Sequence, residues 1–499
     1  MSLECLYKDI EYCRFRTDKS EEYTCEANLI VPDTKGDIAK VLSVKSLPVI
    51  SDTKTEQDRI LISGTIKFSV IYLSEDETES ISTITTSVPF SHIITASGIT
   101  EEFISLVSLC SSNCAYSLIN SRRLKVTSFV KFISKSYKNT RLKALSQAKG
   151  AETKQQSIPF FAARVVSNKN ITVTATTELP PGSYPICEIL NATSTIADSD
   201  QKVLNNKLIV KGNITTDILY KHANGISDAS VSVPFTEIVE ADGMAAGFDS
   251  KISISVSDCL ITPSTDISGE NRMLDITFVL SVTILSFTKE ENLVITDIYI
   301  PRSTVKLNTD TVISSDPLHL ICEDDLIKET ISLSQGQPSI YKILDIICSL
   351  GEFSLNGNSS SSILEVTILY LSDDNSVNTF SSRIPISHKF TGDNISNPTG
   401  LMKHFTYNIS GSDKVDIRMN LQFCADIYKT EKTAVFTSCS QEDAPLKARP
   451  SIIVSFVKHG DSLWDIAKKY NIPLSALASA NALDENAILT IGEKLIIPR

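Results

Sequence analysis

With only six histidines, beside eleven cysteines, this 499-residue chain has a thin supply of catalytic bases and metal ligands. The histidines stand at 92, 222, 319, 388, 404 and 459, and none sits in a recognisable catalytic setting. There is no phosphate-binding G-x-x-x-x-G-K-[ST] loop, no H-E-x-x-H and no G-x-S-x-G elbow. Among the cysteines, Cys110 and Cys114 are closest in sequence, but no second pair or flanking His completes a tetrahedral zinc set. The cysteines are odd in number and scattered, which reads as buried thiols in a reducing compartment rather than a disulfide framework. The expectation is therefore no catalytic residue, no metal and no cofactor.

What remains is recognition. From 122 to 149 the chain carries Arg122, Arg123, Lys125, Lys131, Lys135, Lys138, Arg141, Lys143 and Lys149 with no acid among them. Lys125, Lys131 and Lys135 fall on the odd face of a strand, opposite Val126, Val130 and Phe132. They form a stripe that is either plain soluble surface or a contact for anionic lipid or an acidic neighbour, with Arg122 and Arg123 at its head. Near a membrane each such residue would add about 1 kcal/mol. The net charge of −12 argues against a general nucleic-acid binder.

Three matching segments organise most of the chain. RILISGTIKFSVIYLSED surrounds Tyr72, KLIVKGNITTDILYKHANG surrounds Tyr220, and SSSSILEVTILYLSDDN surrounds Tyr370. In the first, Ile60, Ile62, Gly64, Ile66, Phe68, Val70 and Tyr72 alternate with Leu61, Ser63, Thr65, Lys67, Ser69 and Ile71. Period two over this length predicts a long strand with one buried face. A second block follows each tyrosine: SVPFSHIITASGI, SVPFTEIVEADGM and RIPISHKFTGDNI. His92 and His388 share one place in it, where the middle copy has Glu237. Gly64 and Gly212 lie inside strands, which marks a bulge or a close backbone approach. A period near 150 residues is too long for a solenoid, so each copy should have its own core, built as two packed antiparallel sheets. Polar stretches at 143–157, 288–292 and 438–450 read as linkers. The predicted domains are 1–147, 148–292, 293–440 and 451–499.

The last 49 residues differ. A short strand ends at Lys458, Gly460, Asp461 and Ser462 give a turn and an N-cap, and Leu463, Ile466, Ala467 and Tyr470 make one apolar helix face. A second helix begins near Pro473, and 494–498 reads as a closing strand. This strand–helix–helix–strand order resembles the LysM module, carried by Val457, Gly460, Asp461, Ser462, Leu463, Trp464, Ile466, Ala467, Tyr470, Ile472, Leu477, Asn481, Leu489, Gly492, Leu495, Ile497 and Pro498. The resemblance implies a shallow groove between 460–463 and 487–491. Its candidate contact residues are Lys458, Gly460, Asp461, Ser462, Leu463, Trp464, Ile488, Leu489 and Ile491. LysM modules bind N-acetylglucosamine glycans. The family often has Pro where Ile491 stands, and the substitution makes this rim more apolar. Trp464, the single Trp, lies about 100° round the helix from the core stripe. It is either a boundary-core residue or an aromatic anchor for a partner.

The three β-rich copies resemble the SPOCS domain of spore-forming clostridia through their P-x-I-x-x-I-L-like segment, the strand ending Ile-Leu-Tyr, and Val-Pro-Phe. The fold class that follows is mainly β: three tandem sandwich-like SPOCS domains, then a small α+β LysM domain. The arrangement resembles that of clostridial coat-morphogenesis proteins. It implies a non-enzymatic adaptor of the mother-cell cytoplasm, recruited to the forespore surface. Its LysM would bind the coat-scaffold ATPase called stage IV sporulation protein A, and its SPOCS domains would meet other coat proteins. The rival expectation is a peptidoglycan-binding protein of wall or cortex processing. It is less favoured because residues 1–15 show no secretory signal and a lone LysM binds sugar weakly. No segment reaches the roughly 20 apolar residues of a transmembrane helix.

Overall fold

The computed structural model describes residues 3–17, 20–75, 81–315, 320–374, 376–392, 395–427, 430–442 and 453–498. His319 and most of the third expected linker lie outside them, as does the side chain of Cys110. The first copy contributes β1 (Glu4–Thr17), β2 (Glu21–Ile30), β3 (Ile38–Glu56), β4 (Arg59–Ser74), β5 (Ile81–Thr95), β6 (Ile104–Asn120) and β7 (Arg123–Lys149). The second holds β8 (Glu152–Glu178), β9 (Glu188–Leu204), β10 (Lys207–His222), β11 (Gly225–Glu240), β12 (Asp249–Ser264) and β13 (Met273–Tyr299). The third holds β14 (Thr304–Ser315), β15 (Leu320–Ser332), β16 (Ile340–Leu350), β17 (Ser354–Asn356), β18 (Ser359–Ser372), β19 (Val377–Lys389), β20 (Ile395–Ile409), β21 (Lys414–Ile427) and β22 (Thr430–Glu442). Last come β23 (Ile453–Phe456), helices α1 (Leu463–Tyr470) and α2 (Leu474–Ala480), and β24 (Lys494–Ile497).

Each copy is a sandwich of two antiparallel sheets with three main strands apiece; β1 adds to the first copy's sheet along the far end of β7, and the short β17 pairs with the start of β18 in the third. Sheet β3-β4-β5 faces β2-β7-β6, β9-β10-β11 faces β12-β13-β8, and β16-β18-β19 faces β15-β21-β20. The alternating residues do what their period requires. Ile60, Ile62, Ile66, Phe68, Val70 and Tyr72 all point into the first core. The three repeated tyrosines are fully buried, and two of them pin the loop before the sheet's first strand: Tyr72 Oη donates to Gly36 O at 3.2 Å and Tyr370 Oη to Pro338 O at 3.1 Å.

One face was expected to be dry, but at the end of the strand both are. Ile71, Leu219 and Leu369, each just before its tyrosine, are buried together with Leu42, Leu190 and Leu344. These are the same two positions taken from all three copies, so the sandwiches meet about a shared, threefold-like axis. Polar contacts close the ring. Lys35 meets Glu188 at 2.5 Å and Lys67 meets Asp258 at 3.0 Å between copies one and two. Lys342 meets Asp228 at 3.2 Å between copies two and three, and Lys135 meets Asp426 at 2.6 Å between copies three and one. Near the axis Lys45 donates to Asn191, which donates to Asp345. Burial pulls the Lys45 ammonium below its ordinary range against the attraction of Asp345.

The first two expected linkers are strands, and the described part of the third, 438–442, lies in β22. Residues 143–157 form the β7–β8 hairpin, and 288–292 lie inside β13. Beyond the sandwiches the chain continues as three two-stranded ribbons: β1 with the end of β7, the start of β8 with the end of β13, and β14 with β22. Their inward side chains Ile10, Ala144, Ile158, Phe160, Val294, Val312 and Val435 make one core from all three copies. A ribbon packed on one side only keeps a polar outer face, which is why these stretches read as linkers.

Gly64 is held by a close approach: a Cβ there would strike the Val49 carbonyl and the Phe90 ring. In the third copy Ser362 stands at Gly64's place and its Oγ donates to Gly351 O at 3.0 Å; Gly351, just past the end of β16, is the tight position, where a Cβ would come within 2.9 Å of Ile363 O. Gly64→Ala should therefore cost about 1–3 kcal/mol in chemical denaturation. An unchanged midpoint for Gly64→Ala would remove close approach as the reason for the glycine.

Cys322 and Cys424 face each other across β15 and β21 and form a disulfide, a pairing that the scattered spacing does not reveal. His388 also gains a meaning. Its Nε2 meets Glu323 at 2.7 Å and its ring stacks on Phe423, while His92 in copy one meets Glu21 at 3.3 Å. Each pair links the two sheets of a sandwich. In copy two the matching positions hold Glu237 and Lys169, the signs exchanged.

Candidate functional site

The final unit builds its own helix start. Ser462 Oγ accepts from Asp465 N while the Asp465 carboxylate accepts from Ser462 N, and Asp461 accepts from Lys458 N at 2.9 Å. Gly460, at φ 86°, makes the turn that brings the strand into α1. Leu463, Ile466, Ala467, Leu477, Leu495 and Ile497 form a small core. Asn481 closes the outer edge of β24, its amide donating to Ile496 O and its oxygen accepting from Ile496 N.

The two loops that resemblance assigns to the groove are open to solvent at Lys458, Gly460, Ile488 and Ile491, with Ile488 97% exposed and Ile491 66%. Asp461 and Ser462 are half-buried and engaged in the turn and the cap. Leu463 is 2% exposed and Leu489 packs against the core, so these two shape the groove from beneath rather than touch a ligand. On the opposite side of the β23–β24 sheet Val454, Phe456 and Ile496 are also exposed.

Trp464 does not face open solvent as an unengaged anchor. Its Nε1 donates to Asp297 Oδ2 at 2.7 Å, and Lys468 Nζ, one helical turn on, donates to Asp297 Oδ1 at 2.5 Å. The indole meets the Tyr299 ring edge-on, with centroids 5.0 Å apart. Tyr299 itself is buried within the small core and donates its hydroxyl to Ile472 O at 3.0 Å. Burial pushes this phenol well above its ordinary range. Asn471 donates to Ser303 O and accepts from Arg302 N. Burial works against an ionised Asp297, but the Lys468 and Trp464 hydrogen bonds outweigh it and hold the carboxyl below its usual range.

Asp297 and Tyr299 are functional residues that sequence reasoning missed. Their only trace is the nearly unbroken apolar run LVITDIYI at 293–300, which departs from the alternation and signals burial on both faces.

The basic stripe is corrected in detail. Lys125 pairs with Glu26, and Arg122 pairs with Asp33 and Asp37. Lys131 pairs with Glu352 and Lys135 with Asp426, both from the third copy. Lys251 of the second copy completes this three-way junction, pushed down to about 8 by burial and by Lys135, against Asp426. The acidic neighbour that the stripe meets is largely the chain itself. Arg123 is exposed.

Among the described residues no group of three or more His, Cys, Asp or Glu is placed to hold a metal ion, and no helix is long and apolar enough to cross a membrane. Comparison with known proteins gives two family matches. Residues 457–498 match the LysM domain, and residues 37–119 and 185–263 match the SipL SPOCS domain. Neither the curated proteins nor the solved structures contain a match. The SPOCS matches cover β3–β6 and β9–β12 almost entirely, the strands that carry the repeated tyrosine and the Val-Pro-Phe block. The chain therefore carries two segments similar to the SipL SPOCS domain and, after them, one segment similar to the LysM domain.

Proposed function

We propose that this protein is a non-enzymatic adaptor of spore-coat assembly. Its LysM domain docks on the coat-scaffold ATPase, stage IV sporulation protein A, while the three β domains meet other coat proteins at the forespore surface in the mother-cell cytoplasm. The observation that carries this reading is the LysM surface itself. The module is fixed to the β body at one face, and its free loops present Ile488 and Ile491 rather than a polar sugar-binding rim. Exposed apolar side chains on a small, well-formed domain suit a protein partner. The third β copy, with the strand order of the other two, is read as a SPOCS domain as well.

Pull-down of the intact protein with the scaffold ATPase and, separately, with purified peptidoglycan tests this. The expected result is retention by the ATPase and a loss of at least tenfold in affinity for Ile488→Ser with Ile491→Ser. Retention by peptidoglycan alone would make the protein a glycan binder of wall or cortex processing instead.

A further inference from the structure

We propose that Trp464 Nε1 and Lys468 Nζ form a carboxylate-binding site, occupied by Asp297 in the free molecule and taken over by an acidic residue of the partner when it docks. The proposal rests on the adaptor reading for the identity of the partner and on geometry for the site.

Residues 464 and 468 stand four apart, so both side chains project from one face of α1. Their two donors reach the two oxygens of a single carboxylate, at 2.7 and 2.5 Å. An indole N–H beside an ammonium, backed by an aromatic ring, is suited to an anionic planar group. Neither polar atom belongs to the helix cap, which Ser462 and Asp465 make, or to the apolar core, against which only the Trp464 ring packs. The site is also reachable. The Lys468 side chain is 44% exposed and that of Asp297 27%, so an incoming carboxylate meets both from solvent.

The exchange is local. Asp297 turns out of the site while Tyr299 stays in the LysM core and keeps the module docked. An internal carboxylate acts at an effective concentration far above that of a free peptide, so the intact protein should hold an external acid only weakly.

The test uses the full chain and a blocked tetra-aspartate peptide as probe. Trp464 is the single tryptophan, so its emission reports the site directly. In Asp297→Ala the emission should shift to the red, and the peptide should bind about tenfold tighter than to the unaltered protein, reversing part of that shift. Lys468→Gln in the same background should abolish the gain, and Asp297→Asn, which keeps the size of the side chain, should give an intermediate value. Equal peptide affinity in the unaltered protein and in Asp297→Ala, or a gain that survives Lys468→Gln, would overturn the proposal. Because the peptide assay contains no scaffold ATPase, its success alongside a failed pull-down would sink the adaptor reading and leave the carboxylate site standing.

Discussion

Tyr299→Ala is expected to release the LysM domain from the body and to unfold much of it. The ring is buried among Val457, Leu463, Ile466, Leu477 and Leu495, and its edge meets Trp464. Removing a buried aromatic of this kind costs about 3–5 kcal/mol. A unit of this size holds little stability of its own, so the loss is comparable with everything the module has to spend. The readouts are a red-shifted Trp464 emission and rapid proteolysis within 453–498, with the β body left intact. Tyr299→Phe removes only the hydroxyl bond to Ile472 O and should cost about 1 kcal/mol. A Tyr299→Ala protein with unaltered emission and unaltered protease resistance would show that the LysM domain stands without the body.

This dependence was invisible in the order of residues, and the reason is physical. The LysM pattern is local: a turn at Gly460, a cap at Ser462 and an apolar stripe from Leu463 to Tyr470 fall within a dozen residues, and the helix forms where they place it. The sandwiches were legible for the same reason, since a strand such as 60–72 states its buried face by period alone. What could not be read was everything decided by distant partners. The Trp464–Asp297 contact joins residues 167 apart, and Lys135 and Asp426 are 291 apart. The basic stripe looked like open surface because its acids sit in another copy. Leu463 looked like a contact because a motif says which residues recur in a loop, not which of them point inward.

The drift between copies also reads differently once they are seen together. Ser362 in place of Gly64 comes with a different close approach, because Gly351, just past the end of β16, is the residue with no room for a Cβ beside Ile363 O. At the axis, Ser43, Asn191 and Asp345 hold one position in three chemistries, and the Lys45–Asn191–Asp345 chain uses the amide of the second copy and the carboxylate of the third. Three identical copies could not make that contact. Divergence here has the effect of fixing a single cyclic order, as a lone polar group fixes register in a coiled coil.

Phe160→Ala should destabilise all three β domains at once. Phe160 belongs to β8, yet it is 1% exposed because Ile10 and Ala144 of the first ribbon and Val312 and Val435 of the third complete its surroundings. The truncation removes a phenyl from a core with no spare side chain to fill the gap, at about 3–5 kcal/mol. Were the copies independent beads, the loss would fall on the second alone, and denaturation would separate into more than one transition. With the ribbons sharing one core and a second shared cluster at Ile71, Leu219 and Leu369, the body should unfold in a single transition shifted as a whole. Hydrogen exchange gives the sharper reading. Amides of β1, β8, β13 and β22 should lose protection together in Phe160→Ala, although the first and last of these strands lie more than 400 residues apart. Loss of protection confined to β8 and β13 would mean that the three ribbons touch without being coupled.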